Sequence, residues 1–139
     1  MTTIQGTFNA PKSLILKLNS TININSLSNL SFALLKNNAV IDLDTLDKMT
    51  SLTSYEQDYE GYSRKTVDNI IKNNVTGGYL WTATDVIFLG LYATVRYGII
   101  FNTSTNDIIA VMDLGQDFTF AGDITFGLSV YGFLEIKRS

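Results

Sequence analysis

The sequence predicts a mainly β fold, an antiparallel β-sandwich or small barrel with one short helix. Three observations predict it. Aromatic residues make up 12% of the chain, and Ile, Val, Thr and Tyr are abundant, a mixture that suits pleated, half-buried surfaces. Gly occurs 10 times and Pro once, so turns are punctuated largely by glycine. Apolar runs of strand length recur between Asn- and Gly-rich breaks, the spacing of a sandwich or barrel. At 139 residues the chain reads as one β-rich domain over 1–139, able to bury roughly 65–70% of its unfolded surface. Residues 1–29 read as an attachment or arm segment.

The segment from Asn9 to Leu18 is ambiguous. Asn9 with Pro11 soon after resembles a helix start, while Leu14, Leu16 and Leu18 alternate as a strand does. Ile22 and Ile24 alternate with Asn23 and Asn25, and an apolar run follows from Leu30 to Leu35; both read as strands. In "DLDTLDKMTSLTSYEQ" Asp44 or Thr45 can cap a helix, and Leu46, Met49 and Leu52 repeat at three-residue spacing. The one short helix is expected there. From Tyr59 the chain reads as strands, broken at Asn73-Asn74, Gly77-Gly78, Asn102 to Asp107, Gly115-Gln116 and Ala121-Gly122-Asp123.

A hairpin loop over Asn102 to Asp107 predicts a register. Symmetric pairing sets Phe101 opposite Ile108, Ile99 opposite Ala110, Tyr97 opposite Met112 and Arg96 opposite Asp113. One face is then wholly apolar, with Val95, Tyr97, Ile99 and Phe101 against Ile108, Ala110, Met112 and Leu114. Arg96 and Asp113 fall on the other face as a cross-strand ion pair. Such a pair contributes about 0–1 kcal/mol, so its expected role is to hold register, because a one-residue slip would turn Arg96 into the core.

Composition narrows the function. With no Cys and no His, thiolate nucleophiles, cysteine-ligated zinc and histidine-activated serine are excluded. An enzyme would have to work with carboxylates, Lys, Ser or Tyr, and none is expected; nor is a cofactor or a bound metal. A net charge of −3 with 10 scattered Lys and Arg argues against a nucleic-acid partner. The N-terminal residues lack a signal-peptide pattern, and the longest apolar run, Val86 to Val95, is too short for a membrane helix, so no membrane association is expected and the chain reads as soluble and unprocessed. Charged residues are only 17%, low for a free monomer, so part of the Asn-, Thr- and Ser-rich surface is expected to lie against other subunits.

Asp42, Asp44 and Asp47 are close enough to suggest a calcium loop, but the glycine and distal Glu that such a loop needs are missing from the expected places, which leaves capping and solvation. Carboxylate pairs drawn from Asp58, Glu60, Asp113, Asp117 and Asp123 carry no specific signal. Sequons at Asn19, Asn29, Asn74 and Asn102 mean little without a secretory signal. Tyr55, Tyr59, Tyr62 and Trp81, with Tyr79 and Tyr92, suggest an aromatic surface for a partner protein or a sugar, against the commoner role of such rings as core. Burial of Trp81 would count against the sugar.

The succession "SFALLKN", "DLDTLDK", "EGYSRKTV", "TATDVIF", "ATVRYGIIFNTSTNDIIAVMDLGQD" and "GDITFGLS" resembles a family of small tailed-phage virion structural proteins. The resemblance runs from about Leu30 to the C-terminus. Its most specific piece is Ala93 to Tyr97 followed by the Asp113-Leu114-Gly115-Gln116-Asp117 turn. Phe88 stands where the family pattern has Trp, and the residues before Leu30 have no match. The resemblance implies a non-enzymatic particle component in the virion, assembled in the host bacterial cytoplasm. It would act as a symmetric homo-oligomer, a trimer among the candidate states, against other virion proteins such as the major capsid protein. Capsid decoration or a head fibre is the first expectation. A tail or connector protein is the near alternative, and a carbohydrate-binding module for the host surface is another.

Overall fold

The structure, a computed structural model, describes residues 2–18, 28–59 and 61–137. It is mainly β, with curled sheets that form a half-barrel. Nine strands are described: β1 (Thr2–Ile4), β2 (Thr7–Asn9), β3 (Leu30–Leu35), β4 (Lys65–Thr66), β5 (Ile71–Val75), β6 (Gly78–Thr82), β7 (Val86–Asn102), β8 (Ile108–Phe126) and β9 (Leu134–Lys137). The large sheet runs β1-β8-β7-β3-β4, with β2 also on β8, and β5-β6-β9 form a smaller sheet. No helix among the described residues is long and apolar enough to cross a membrane.

The single α-helix, α1, spans Lys12–Lys17, the segment whose sequence left helix and strand open. Pro11 precedes it in extended geometry, and Leu14 turns into the core. The helix expected around Leu46 is replaced by a turn and two 3-10 pieces, Met49–Ser51 and Thr53–Tyr55. Leu46, Met49 and Leu52 are all buried, as their spacing implied. Three-residue spacing is the period of a 3-10 turn and not of an α-helix, and tertiary pairing completes the correction. Met49 N–H donates to Asn106 O at 2.8 Å and Ile108 N–H to Asp47 O at 3.0 Å, so backbone groups that an α-helix would use are spent on the β7–β8 loop. The strand expected at Ile22 and Ile24 lies outside the described residues, as do residues 1 and 19–27 of the arm expected over 1–29; β1, β2 and α1 are packed into the body.

Breaks were expected at Gly115-Gln116 and Ala121 to Asp123, yet β8 runs unbroken from Ile108 to Phe126. Its partner β7 is equally continuous, and bulges absorb the irregular residues instead of ending the strand. Gly115 takes φ 81° within the largest of these, where the pairing jumps from Val95↔Phe118 to Tyr97↔Asp113. A second bulge lies at Leu89-Gly90, between Phe88↔Ile124 and Leu91↔Gly122. Asn73-Asn74 likewise sits inside β5, and the turn falls at Thr76-Gly77.

These bulges curl the ribbon, and the N-terminal strands measure the curl. β1 pairs in parallel with Ile124 to Phe126, and β2 pairs antiparallel with Val111 to Asp113. From Ile4 to Thr7 the chain spans at most roughly 11 Å, whereas Asp113 and Phe126 would stand about 43 Å apart in a straight strand. Only a tightly curled β8 lets one short connection reach both ends. The parallel pairing of β1 departs from the all-antiparallel expectation for this reason.

The curl encloses a core of Phe32, Phe88, Leu91, Val95, Met112, Phe120 and Phe126, closed by Trp81, Phe133 and Leu134 from the small-sheet side. Phe88 and Phe126 meet edge to face with centroids 5.8 Å apart, a geometry that adds to area burial. A second cluster sits on the opposite face of the large sheet, where Ala33, Leu35, Ile99, Phe101 and Val111 pack under Leu46, Met49 and Leu52. The loop end of the hairpin is therefore buried on both faces, not on one as expected.

Candidate functional site

Phe101 does lie opposite Ile108, but Ile100 pairs with Ala110 and Ile99 with Val111. Ile109 is the extra residue, and it shifts every later pair by one. Tyr97, not Arg96, is therefore the partner of Asp113. Arg96 faces the large bulge, and its Nε still reaches Asp113 Oδ1 at 3.2 Å. The same oxygen accepts the Gly115 N–H at 2.8 Å. Asp113 thus ties the arginine to the turn that bends the strand, a role the sequence expectation of a simple cross-strand pair did not contain.

The four aromatic residues expected to share a surface do not. Trp81 is 2% exposed and lies in the main core, which counts against a sugar-binding surface built on that ring. The reason is register: Trp81 pairs with Lys72 and Leu134, on the face of the small sheet turned inward. Tyr55 packs on the second cluster. Tyr62 stacks on Phe88 at 6.0 Å, donates its hydroxyl to Glu56 and accepts the Leu34 N–H at 3.3 Å. Burial, with the adjacent Glu56 carboxylate, pushes the Tyr62 phenol far above its usual range. Arg64 clamps both oxygens of Glu56, its Nε donating at 2.9 Å to the Oε2 that Tyr62 also reaches and its Nη2 donating at 2.8 Å to Oε1, and that carboxylate raises its pKa. Tyr59 alone of the four is well exposed, at 56%.

A network of three linked ion pairs was not anticipated. Asp107 is buried at the hairpin loop. It accepts from Lys17 at 2.9 Å, Lys48 at 2.6 Å and Thr105 Oγ1 at 2.8 Å. Burial by itself would raise its pKa, but these donors outweigh it and lower the carboxyl to about 2. Lys17 also bonds Asp47; burial would lower its pKa, and the two carboxylates raise it. The network pins α1 and the 3-10 segment to the hairpin. Its geometry is structural, since every partner is already committed within the cluster. Sequence signals for it were weak, because Lys17, Asp47 and Asp107 are far apart along the chain.

Acidic residues are dispersed into local tasks. Asp42 Oδ1 accepts the Asp44 N–H at 3.0 Å, Asp58 pairs with Lys36 at 3.2 Å, and Asp117 accepts from Asn37 at 3.1 Å. Asp123 accepts the Gly90 N–H at 2.8 Å. Asp85 Oδ1 accepts the N–H groups of Leu128 and Ser129 at 2.8 and 2.9 Å; burial opposes ionisation there, and the donated bonds prevail to lower the pKa. Among the described residues no group of three or more acidic side chains is placed to hold a metal ion.

An open concavity lies on the outer face of the long hairpin. Its volume is about 640 Å³, and Lys36, Asn37, Tyr59, Tyr92, Thr94 and Thr119 line it. Alternation places them: Ala93 and Val95 point into the core, so Tyr92 and Thr94 point out. Thr94 is paired with Thr119 and Tyr92 with Ala121. Tyr92 is 53% exposed. Tyr59 and Tyr92 are thus the two members of the sequence-level aromatic set that meet at an open surface.

Compared with family models, curated proteins and solved structures, the chain matches none of them.

Proposed function

We propose that this chain is a non-enzymatic structural component of a tailed-phage particle, a capsid decoration or auxiliary protein or a head-fibre protein, acting through contacts between sheet surfaces. Two features support the reading: the motif order from Leu30 onward, and the chemistry of one outward face. The second carries it. In the small sheet Lys72, Trp81, Asn74 and Tyr79 share the inward side. Ile71, Asn73, Val75, Leu80 and Thr82 share the other, and no charged residue of β5 or β6 lies on that side. Ile71 and Val75 are exposed there. Leu80 and the exposed Tyr131 line one small pocket, so Tyr131 adjoins that apolar surface. Among the described side chains charge enters at the β9 rim, with Glu135 opposite Leu80.

Magnitude decides what kind of contact this is. Full burial of one such side chain contributes about 1.5–3 kcal/mol, and these side chains are already partly covered. Association costs roughly 4–15 kcal/mol. One face of this size does not hold an isolated tight pair, but it serves where many copies are presented together on a symmetric assembly. Quantitative mass spectrometry of particles released by cells carrying the gene tests the reading. Hundreds of copies per particle mean capsid decoration, a handful mean a fibre, connector or tail position, and absence from the particles overturns it.

A further inference from the structure

We propose that the groove on the outer face of the β7–β8 hairpin is a binding site for a neutral oligosaccharide. The inference stands apart from the particle reading, because it rests on this groove and not on the small sheet. Its volume, about 640 Å³, is in the range of small-molecule sites. What lines it selects the ligand class.

Tyr59 and Tyr92 each leave about half of the side chain open to solvent, and both border the groove. Exposed rings of this kind suit a ligand with an apolar C–H face and a polar edge. The floor supplies the polar half. Thr94 Oγ1 and Thr119 Oγ1 lie 2.9 Å apart, either one donating. That bond leaves one hydroxyl hydrogen and several lone pairs for a ligand. The Asn37 and Asn38 amides add donors and acceptors in the same wall, and Asn37 is held by Asp117 at 3.1 Å. A polyol needs this mixture of donors and acceptors, and a hydrocarbon would leave it unpaired.

Charge removes the anionic classes. Lys36 is the one cation in the lining, and Asp58 already holds it at 3.2 Å. Asp58, and the Asp117 carboxylate that accepts from Asn37, balance that one lysine, so the lining offers no unpaired cation to phosphate, sulfate or sialic acid. A peptide adding as a strand is disfavoured on the β7 side. Gln57 donates to Thr94 O, and the Gly61 backbone lies against Gly90, so that edge is covered.

The test uses the full chain in an amide NMR titration with maltotriose, cellotriose, mannotriose and chitotriose, and sialyllactose as the charged control. At least one neutral probe is expected to give saturable shifts at Tyr59, Tyr92, Thr94 and Thr119. Tyr92→Ala, at a half-exposed side chain that the fold does not need, should weaken that binding roughly tenfold. Val75→Ala on the small sheet should leave it unchanged. No saturable shift with any neutral probe at millimolar concentration, shifts that map elsewhere, or equal or tighter binding of sialyllactose would overturn the proposal. Failure here leaves the particle reading standing, since that is decided by copy number in particles.

Discussion

Replacing Asp107 by Asn should unfasten the join between α1, the 3-10 segment and the hairpin. The Asp107 carboxyl is lowered from 3.8 to about 2. The side chain is mostly shielded from water, so little of the effect is lost to solvent screening. A difference of this size corresponds to roughly 2 kcal/mol of stability at neutral pH. Asn keeps the shape and part of the hydrogen bonding, yet it leaves Lys17 with Asp47 alone. The expected loss is therefore about 2–3 kcal/mol, below the cost of orphaning a fully buried charge. Urea denaturation at pH 7 reads it directly. The sign of the pH dependence follows from the depressed pKa: the contribution is complete above the unfolded value near 4 and disappears as pH falls through about 2. At pH 3 about half of the gap between wild type and variant should remain. A gap below about 0.5 kcal/mol at pH 7, or one that does not shrink at pH 3, would refute the argument that Asp107 is held ionised by these donors.

Two further outcomes are expected. Gly61→Ala should cost more than about 3 kcal/mol in thermal or urea unfolding, because its φ is +83° and an added Cβ would stand 2.0 Å from Gly90 O; a variant within about 0.5 kcal/mol of wild type would show that the Gly61 loop does not cover β7. Exchanging charges, Arg96→Asp with Asp113→Arg, should recover up to about 1 kcal/mol of the summed single losses. Recovery should stay incomplete because Asp113 also accepts the Gly115 N–H at 2.8 Å; strictly additive losses would remove the ion pair from the energetics.

Much of the β architecture was legible because side-chain alternation is a local property. Leu30 to Leu35 is a strand, and Asn102 to Asp107 is the hairpin loop. The burial of Leu46, Met49 and Leu52 was also legible, though not the kind of helix that buries them. Register was not. One extra residue at Ile109 moves every pair beyond it, and nothing local to Ile109 distinguishes it from its neighbours. Glycines at 115 and 122 carry the same signal whether they end a strand or bend it, and the continuity of β7 decided for bending.

The candidate sites divide in the same way. Composition by itself excluded thiol and imidazole chemistry, since a chain without Cys or His has none. It also marked the aromatic residues as a set. Which of them face water was left to the tertiary structure, because in a sheet the answer depends on parity and on the neighbour across the face. Trp81 pairs with Lys72 and Leu134 on the inward side, while Tyr92 emerges after the bulge at Leu89-Gly90 beside Tyr59. The Asp107 cluster, built from residues distant along the chain, exists only because the curl of β8 and the loop above it bring them to one place.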